Sequence, residues 1–285
     1  MYELSETNIY PCWHYGAGLS TSAATSISRE VRYEFYLDQQ SLGYVIASPH
    51  NLDELGLGYC LSEGYIQSPD EVATIDVDAT SHRITLRRTS IHTATMQRRN
   101  SSSIIDTNTT SASIIGTVPQ SSLIVGAAPT SSSIIDGAPT PSPHWTVTAK
   151  EICSYGTLLD SITKAHHISH GVHEGAIVKS GRVLAYAEDV GRHNVLDRLL
   201  GIVAKQHIDT TDTLLIFSGR VPDSVIRKVH RIGCPVLCSR AMPTELGITL
   251  ADAYGITLVN KLRPTEFLVF AHPERIIADT HLTNN

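Results

Sequence analysis

The sequence predicts an α/β fold: a mostly parallel sheet with helices on both faces, joined to a smaller N-terminal α+β subdomain. Three observations lead there. Apolar strand-like runs alternate with helix-like stretches through the C-terminal half, the pattern that buries parallel strands beneath crossover helices. Polar clusters containing glycine or arginine follow three of those runs directly, where open α/β sheets hold ligands. The chain has 285 residues, 41% of them hydrophobic, enough for a full core.

Residues 1–99 read as the N-terminal subdomain. Met1 to Pro11 lacks a basic stretch followed by an apolar core, so no signal peptide is expected. Val31–Leu37 alternates apolar and polar residues as a half-buried strand does. Ser48-Pro49-His50-Asn51 opens a helix crowded with Leu52, Leu55, Leu57, Tyr59, Cys60 and Leu61, which stops near Ser62-Glu63-Gly64. Residues 72–77 and 83–87 read as further strands.

Residues 100–143 differ from the rest. Ser101-Ser102-Ser103-Ile104-Ile105-Asp106 has counterparts at 111–116, 121–126 and 131–136, a ten-residue period. One reading is a low-complexity linker. The other is a set of short strands, since each unit carries a β-branched or apolar pair able to pack.

Residues 144–285 carry the alternating pattern. A helix is expected over 149–168, then a hairpin whose apolar arms, Ala176-Ile177-Val178 and Val183-Leu184-Ala185-Tyr186, flank Lys179-Ser180-Gly181-Arg182. Val195, Leu196, Leu199, Leu200 and Val203 recur at helical spacing behind Asn194 as N-cap. Strands are expected at 213–217, 235–238, 256–259 and 267–270, with helices at 222–232 and 243–254 closed by Gly233 and Gly255.

The polar clusters are candidates for chemistry. Glu188-Asp189-Val190-Gly191-Arg192-His193-Asn194 places two carboxylates, an arginine and a histidine in one strand-to-helix turn. The carboxylates suit holding guanidinium and imidazole groups, or the N1–H and amine of guanine; a solvated acidic turn is the plain alternative. Ser218-Gly219-Arg220 precedes a helix with Pro222 near its start, an arrangement that fits phosphate through free backbone N–H groups and an arginine fork. Arg220 could equally be a surface cation and Gly219 a plain turn. Arg240 follows a third strand. His173 alone reads more readily as a hydrogen-bonded core histidine, and His166 and His167 as helix-surface residues.

A net charge of −6 argues against broad nucleic-acid binding, and no run of apolar residues is long enough to span a membrane. Five cysteines, an odd number, suit reduced thiols in a cytoplasmic protein. Cys234 and Cys238 are spaced to share one strand face about 13 Å apart. Core packing is their expected role, and Cys60 and Cys153 fall on apolar helix faces.

Taken in order, these motifs resemble the formate dehydrogenase accessory sulfurtransferase (FdhD) family. The likeness runs from Leu52-Asp53-Glu54-Leu55-Gly56-Leu57-Gly58 through Gly171-Val172-His173, Glu188 to Asn194, Ser218-Gly219-Arg220 and Ala241-Met242-Pro243-Thr244 to Arg263 and Pro273-Glu274-Arg275-Ile276. The resemblance implies a three-layer, cytidine-deaminase-like α/β/α domain and, as is typical of the family, a homodimer. It implies sulfur received from a cysteine desulfurase and passed to the molybdenum bis-molybdopterin guanine dinucleotide cofactor for formate dehydrogenase, with GDP as a surrogate ligand. The implied cofactor residues are Gly171, His173, Glu188, Asp189, Gly191, Arg192, His193, Asn194, Ser218, Gly219, Arg220 and Arg240, with Phe267, Leu268, Val269, Phe270, Ala271 and His272 as a contact strand.

The sequence departs from the family at its persulfide loop. Where the family has two cysteines after an Arg-Asn pair, Arg99-Asn100 is followed by Ser101-Ser102-Ser103, and no cysteine lies between 61 and 152. Serine cannot form a persulfide. Either another thiol, with Cys153 the candidate, takes over, or the chain binds the cofactor without sulfur transfer. A zinc nucleobase deaminase would need H-x-E and P-C-x-x-C; His173-Glu174 lacks the spacer and Cys234 to Cys238 has the wrong spacing. A binding module docking a partner through the Ser/Ile repeat is the remaining alternative.

Overall fold

A computed structural model describes residues 7–16, 19–89, 145–162, 169 and 171–278. The repeat at 100–143 and the pair His166 and His167 lie outside the described residues. The chain starts with an antiparallel ribbon, β1 (Thr7–Gly16) and β2 (Leu19–Ser28), paired from Thr7↔Ser28 to Gly16↔Leu19. Next come β3 (Val31–Leu37), β4 (Gln40–Ala47), α1 (Leu52–Ser62), β5 (Val72–Asp78) and β6 (Arg83–Arg88). The four strands after the ribbon form a sheet in the order β4-β3-β6-β5. Alternation sends Tyr33, Phe35, Leu37, Ile84 and Leu86 to its buried face, where α1 lies.

The C-terminal half holds β7 (Val147–Thr148), α2 (Ala149–Ser154), α3 (Leu158–Ile162), β8 (His173–Lys179), β9 (Arg182–Asp189) and α4 (Arg192–Gln206). It continues with β10 (Leu214–Phe217), α5 (Asp223–Ile232), β11 (Val236–Ser239), α6 (Glu245–Ala253), β12 (Thr257–Asn260), β13 (Leu268–Ala271) and β14 (Ile276–Ile277). Six strands order as β13-β12-β11-β10-β8-β9. The fold is α/β, but the sheet is mixed: parallel pairing is confined to β10, β11 and β12. Strands β8 and β9 meet through a two-residue turn, Ser180 (φ 49°) and Gly181 (φ 78°), which can only return the chain antiparallel. Strand β13 likewise turns back along β12.

Both faces are covered. Helices α4, α5 and α6 pack on Ile177, Leu215, Phe217, Leu237 and Leu258. On the other face Ile152, Tyr155 and Leu159 cover Ala176, Val178, Leu214, Ile216, Val236 and Val259. The helix expected over 149–168 is broken by a 3-10 turn, Tyr155–Thr157. There Gly156 lies so close to the Arg263–Pro264 backbone that a Cβ would come within 2.5 Å.

One hydrophobic cluster runs from the N-terminal sheet into α4 without interruption. Helices α1 and α4 cross at two glycines: a Cβ on Gly58 would stand 1.7 Å from the Asp197 carbonyl oxygen, and one on Gly201 would stand 2.0 Å from that of Glu54. No larger residue permits that approach. Among the described residues, no helix is long and apolar enough to cross a membrane.

Candidate functional site

Strand directions decide where the polar turns meet. Strands β10, β11 and β12 run together, and β9, antiparallel to β8 as β8 is to β10, runs the same way. Their carboxyl ends share one edge with the start of β8, at His173, and the start of β13. The turns there are tied to one another. Ser218 N–H donates to the Glu174 carbonyl (3.0 Å) and Ser239 Oγ to that of Gly219 (2.7 Å). Arg240 N–H donates to the Phe217 carbonyl (3.1 Å) and Asn260 Nδ2 to that of Ala241 (2.7 Å).

Arg192 is the centre of this rim. It is the first residue of α4, whose N-cap, Gly191, offers no side chain to the free N–H groups. Its Cβ would stand 3.3 Å from a Cβ added at Gly219, so Arg192 overlies the Ser218-Gly219 turn. Its Nε is buried without a hydrogen-bond partner. Arg220, the residue after Gly219, is exposed. His173 is half-buried with Nδ1 3.4 Å from Ser218 Oγ; burial, then the Arg192 charge, lowers its pKa, so it stands neutral at pH 7. The uncapped N–H groups at the start of α4 fit a phosphate or diphosphate, whereas the space at Gly219 is filled by the Phe217 ring and the Arg192 Cβ.

Other predicted residues are turned elsewhere. Asp189 is fully buried, its carboxylate accepting from Arg198 Nε (2.9 Å) and Nη2 (2.6 Å), Asn194 Nδ2 (2.8 Å) and Gly191 N–H (2.8 Å). Glu188 is 1% exposed and accepts from the Tyr186 hydroxyl (2.7 Å). Neither carboxylate is placed to read guanine. Asn194 is not the N-cap: it lies inside the first turn, donating to the Ile46 carbonyl (2.8 Å) as well as to Asp189. His193 faces Lys228, Glu63 and Asp223, and burial above all lowers its pKa to about 4.

Arg240 sits on the rim but reaches sideways, pairing with Asp160 (2.7 Å) and the Gly156 carbonyl (3.3 Å). Strand β13 meets the rim only at Phe267 and Leu268, with Leu268 opposite Asn260. It then passes through Val269 and Phe270 to Ala271 and His272 at the far edge. There the His272 carbonyl accepts from Thr257, the first residue of β12 (2.9 Å). Gly171 packs against Ser28 at the ribbon's base, two residues before His173. Cys153 is half-buried on α2 in the outer layer. Cys234 and Cys238 do not share a face: the strand starts only at Val236, so Cys234 packs in one cluster and Cys238 in the other.

Sequence reading missed the buried charges that hold this region. Arg198, 1% exposed, donates to Asp189 and to the carbonyls of Ser48 (2.8 Å), Asn51 (3.0 Å) and His50. Lys228 bonds Asp197 (2.6 Å), Ser62 (2.9 Å) and Glu63 (3.0 Å). The available signal was position: Asp197 and Arg198 interrupt an apolar helix that also contains Gly201, the mark of a helix buried all round.

A family model described as the FdhD/NarQ family matches residues 28–277. Proteins named sulfur carrier protein FdhD from Staphylococcus aureus strains Newman and COL are 29% identical over 269 residues, covering 94% of this chain and 95% of theirs. A crystal structure described as a putative formate dehydrogenase accessory protein from Desulfotalea psychrophila superposes with a TM-score of 0.72 at 24% identity. That match covers 95% of this chain and 99% of the other, and it shows a shared fold.

Proposed function

The chain belongs to the FdhD/NarQ family, and from that premise we propose that it is an accessory protein in formate dehydrogenase maturation. In this reading it grips the guanine dinucleotide end of the molybdenum bis-molybdopterin cofactor, acts in the cytoplasm as a homodimer, and works between a cysteine desulfurase and formate dehydrogenase. One observation supports the nucleotide-binding part: Arg192, the half-buried first residue of α4, overlies the Ser218-Gly219 turn beside N–H groups that the N-cap Gly191 leaves without a side-chain partner. Arg192, Arg220 and the N–H groups at the start of α4 would hold the diphosphate. The cofactor, when bound, supplies the molybdenum centre; the chain's residues bind and orient its charged tail.

Calorimetric titration with GDP tests this. The double substitution Arg192→Ala, Arg220→Ala is expected to weaken binding at least about tenfold, the worth of one charge-assisted contact. Unchanged affinity would sink the assignment.

A second reading concerns sulfur, and the thiols favour it. All five cysteines fall within the described residues. Burial pushes the thiols of Cys60 and Cys234 up to about 12 and that of Cys238 further up, so none supplies a thiolate. Cys12 lies on the ribbon and Cys153 on the outer helix, so no thiol stands on a rim turn. This arrangement suits a cofactor holder that does not itself carry sulfur. Incubation with a cysteine desulfurase and cysteine, then cyanolysis, should release no thiocyanate. Release that disappears in Cys153→Ser would restore the carrier role.

A further inference from the structure

The rim occupies one edge of the six-stranded sheet, and α4 runs from it toward the opposite edge. Fifteen residues at about 1.5 Å each place the end of α4 roughly 22 Å from Arg192. Two clefts open there, of about 450 and about 260 Å³, and both are lined by Pro69, Ala204 and His207. Leu57 and Val72 wall the larger one; Leu200 and Val203 wall the smaller. Because they share three lining residues they adjoin, as one mostly apolar trough of small-molecule size.

A cation stands in this apolar setting without a counter-charge. Arg231, in the last turn of α5, is half-buried and lines the smaller cleft. Its Nε is buried without a hydrogen-bond partner. Burial lowers the guanidinium's pKa, Tyr254 raises it, and among the described residues no carboxylate acts on it. The acids that line the clefts are engaged locally. Asp209 accepts from the Thr211 N–H (3.0 Å) and hydroxyl (2.7 Å), and Asp70 from the Ser68 hydroxyl (3.2 Å). Lys205, the other cation of the trough, is held by Asp53 and Glu54. Arginine keeps its proton at neutral pH, so a half-buried guanidinium without a partner favours an anion that reaches it.

We propose that these clefts form a second binding site, which takes an amphiphilic carboxylate of the medium-chain fatty acid class. Arg231 pairs with the head through its terminal nitrogens, since its Nε is sealed off, and the trough walls cover the acyl chain. A phosphate head asks for more donors than one such guanidinium supplies, and a neutral lipid leaves Arg231 uncompensated.

Calorimetric titration of the full chain with octanoate, hexanoate, octanol and acetate tests the site. Wild type should bind octanoate, and hexanoate about tenfold more weakly because two buried methylenes are lost. Octanol, which lacks the charge, should also bind about tenfold more weakly, and acetate not detectably. Arg231→Gln should lower octanoate affinity about tenfold and leave octanol unchanged, whereas Arg231→Lys should keep most of the octanoate affinity. Ala204→Phe, which fills the trough where the clefts meet, should weaken octanoate and octanol alike. Wild type that fails to bind octanoate, or binds it no better than octanol, overturns the site whatever the variants do. Equal octanoate affinity in wild type and Arg231→Gln, with both chains melting alike, overturns it as well.

Discussion

Asp189 and Arg192 lie three residues apart in one polar turn and serve opposite ends of it. Asp189 points inward, into a knot with Arg198 from which water is excluded; Arg192 lies over the Ser218-Gly219 turn with an unbonded nitrogen. The inward group has every partner it needs, and removing one leaves a buried charge. Arg192, half-buried, keeps a donor with no partner. A polar motif that reads as one site thus divides into a half whose bonding is closed within the fold and a half that keeps an unfilled donor. The presence of partners, not residue type, draws the line.

The largest effect should come from cutting the knot. Asp189→Ala leaves the Arg198 guanidinium buried without its counter-charge, a loss of about 4 kcal/mol. Urea unfolding measures it, and a loss below about 1 kcal/mol would erase the contrast with Arg192. Gly58→Ala should come next, because its methyl group would meet the Asp197 carbonyl and force α1 and α4 apart, at about 3 kcal/mol. A Gly58→Ala chain with wild-type stability would show that the two helices can separate freely, contrary to a tight inner region.

Acid should reveal the same division at smaller amplitude. Burial, then the Arg198 charge, lowers the His50 pKa to about 3, and His193 is held at about 4. Both are neutral above the ordinary value of 6.5. Below it the unfolded chain takes up protons that the folded chain refuses, so stability falls as pH drops from 6.5 toward 3. A melting temperature roughly 5 °C lower at pH 4.5 than at pH 7 is expected. His193→Gln should flatten that slope; an unchanged slope would mean that His193 is hydrated and not packed in the α4–α5 seam.

Much of this was readable from residue order. The strands at β3, β5, β6 and β10 to β13, and the helices α1, α5 and α6, each announce themselves by apolar period and by glycine at the stop. The polar clusters fall after strands as expected. The ribbon did not show because β2 is rich in serine, threonine and alanine, with no apolar alternation to mark a buried face, and Pro11 interrupts the run that forms β1. The direction of β8 and β13 depended on turn length and sheet order, which local pattern does not encode. Local pattern does not mark the partners of Arg198 and Lys228, since only the packing of α1 across α4 and α5 makes them internal. Arg240 was placed on the correct edge, but its lateral partner, Asp160, is eighty positions earlier in the chain.

Arg198 reaches across to the carbonyls of residues 48, 50 and 51, and α1 is locked over α4 at Gly58 and Gly201. The two halves are therefore fastened by non-covalent contacts in addition to the peptide that connects them. A chain cleaved once between Thr89 and Trp145 should stay one particle, its two fragments eluting together from a sizing column and parting only in denaturant. Continuity of the backbone through that stretch is dispensable for holding the molecule together.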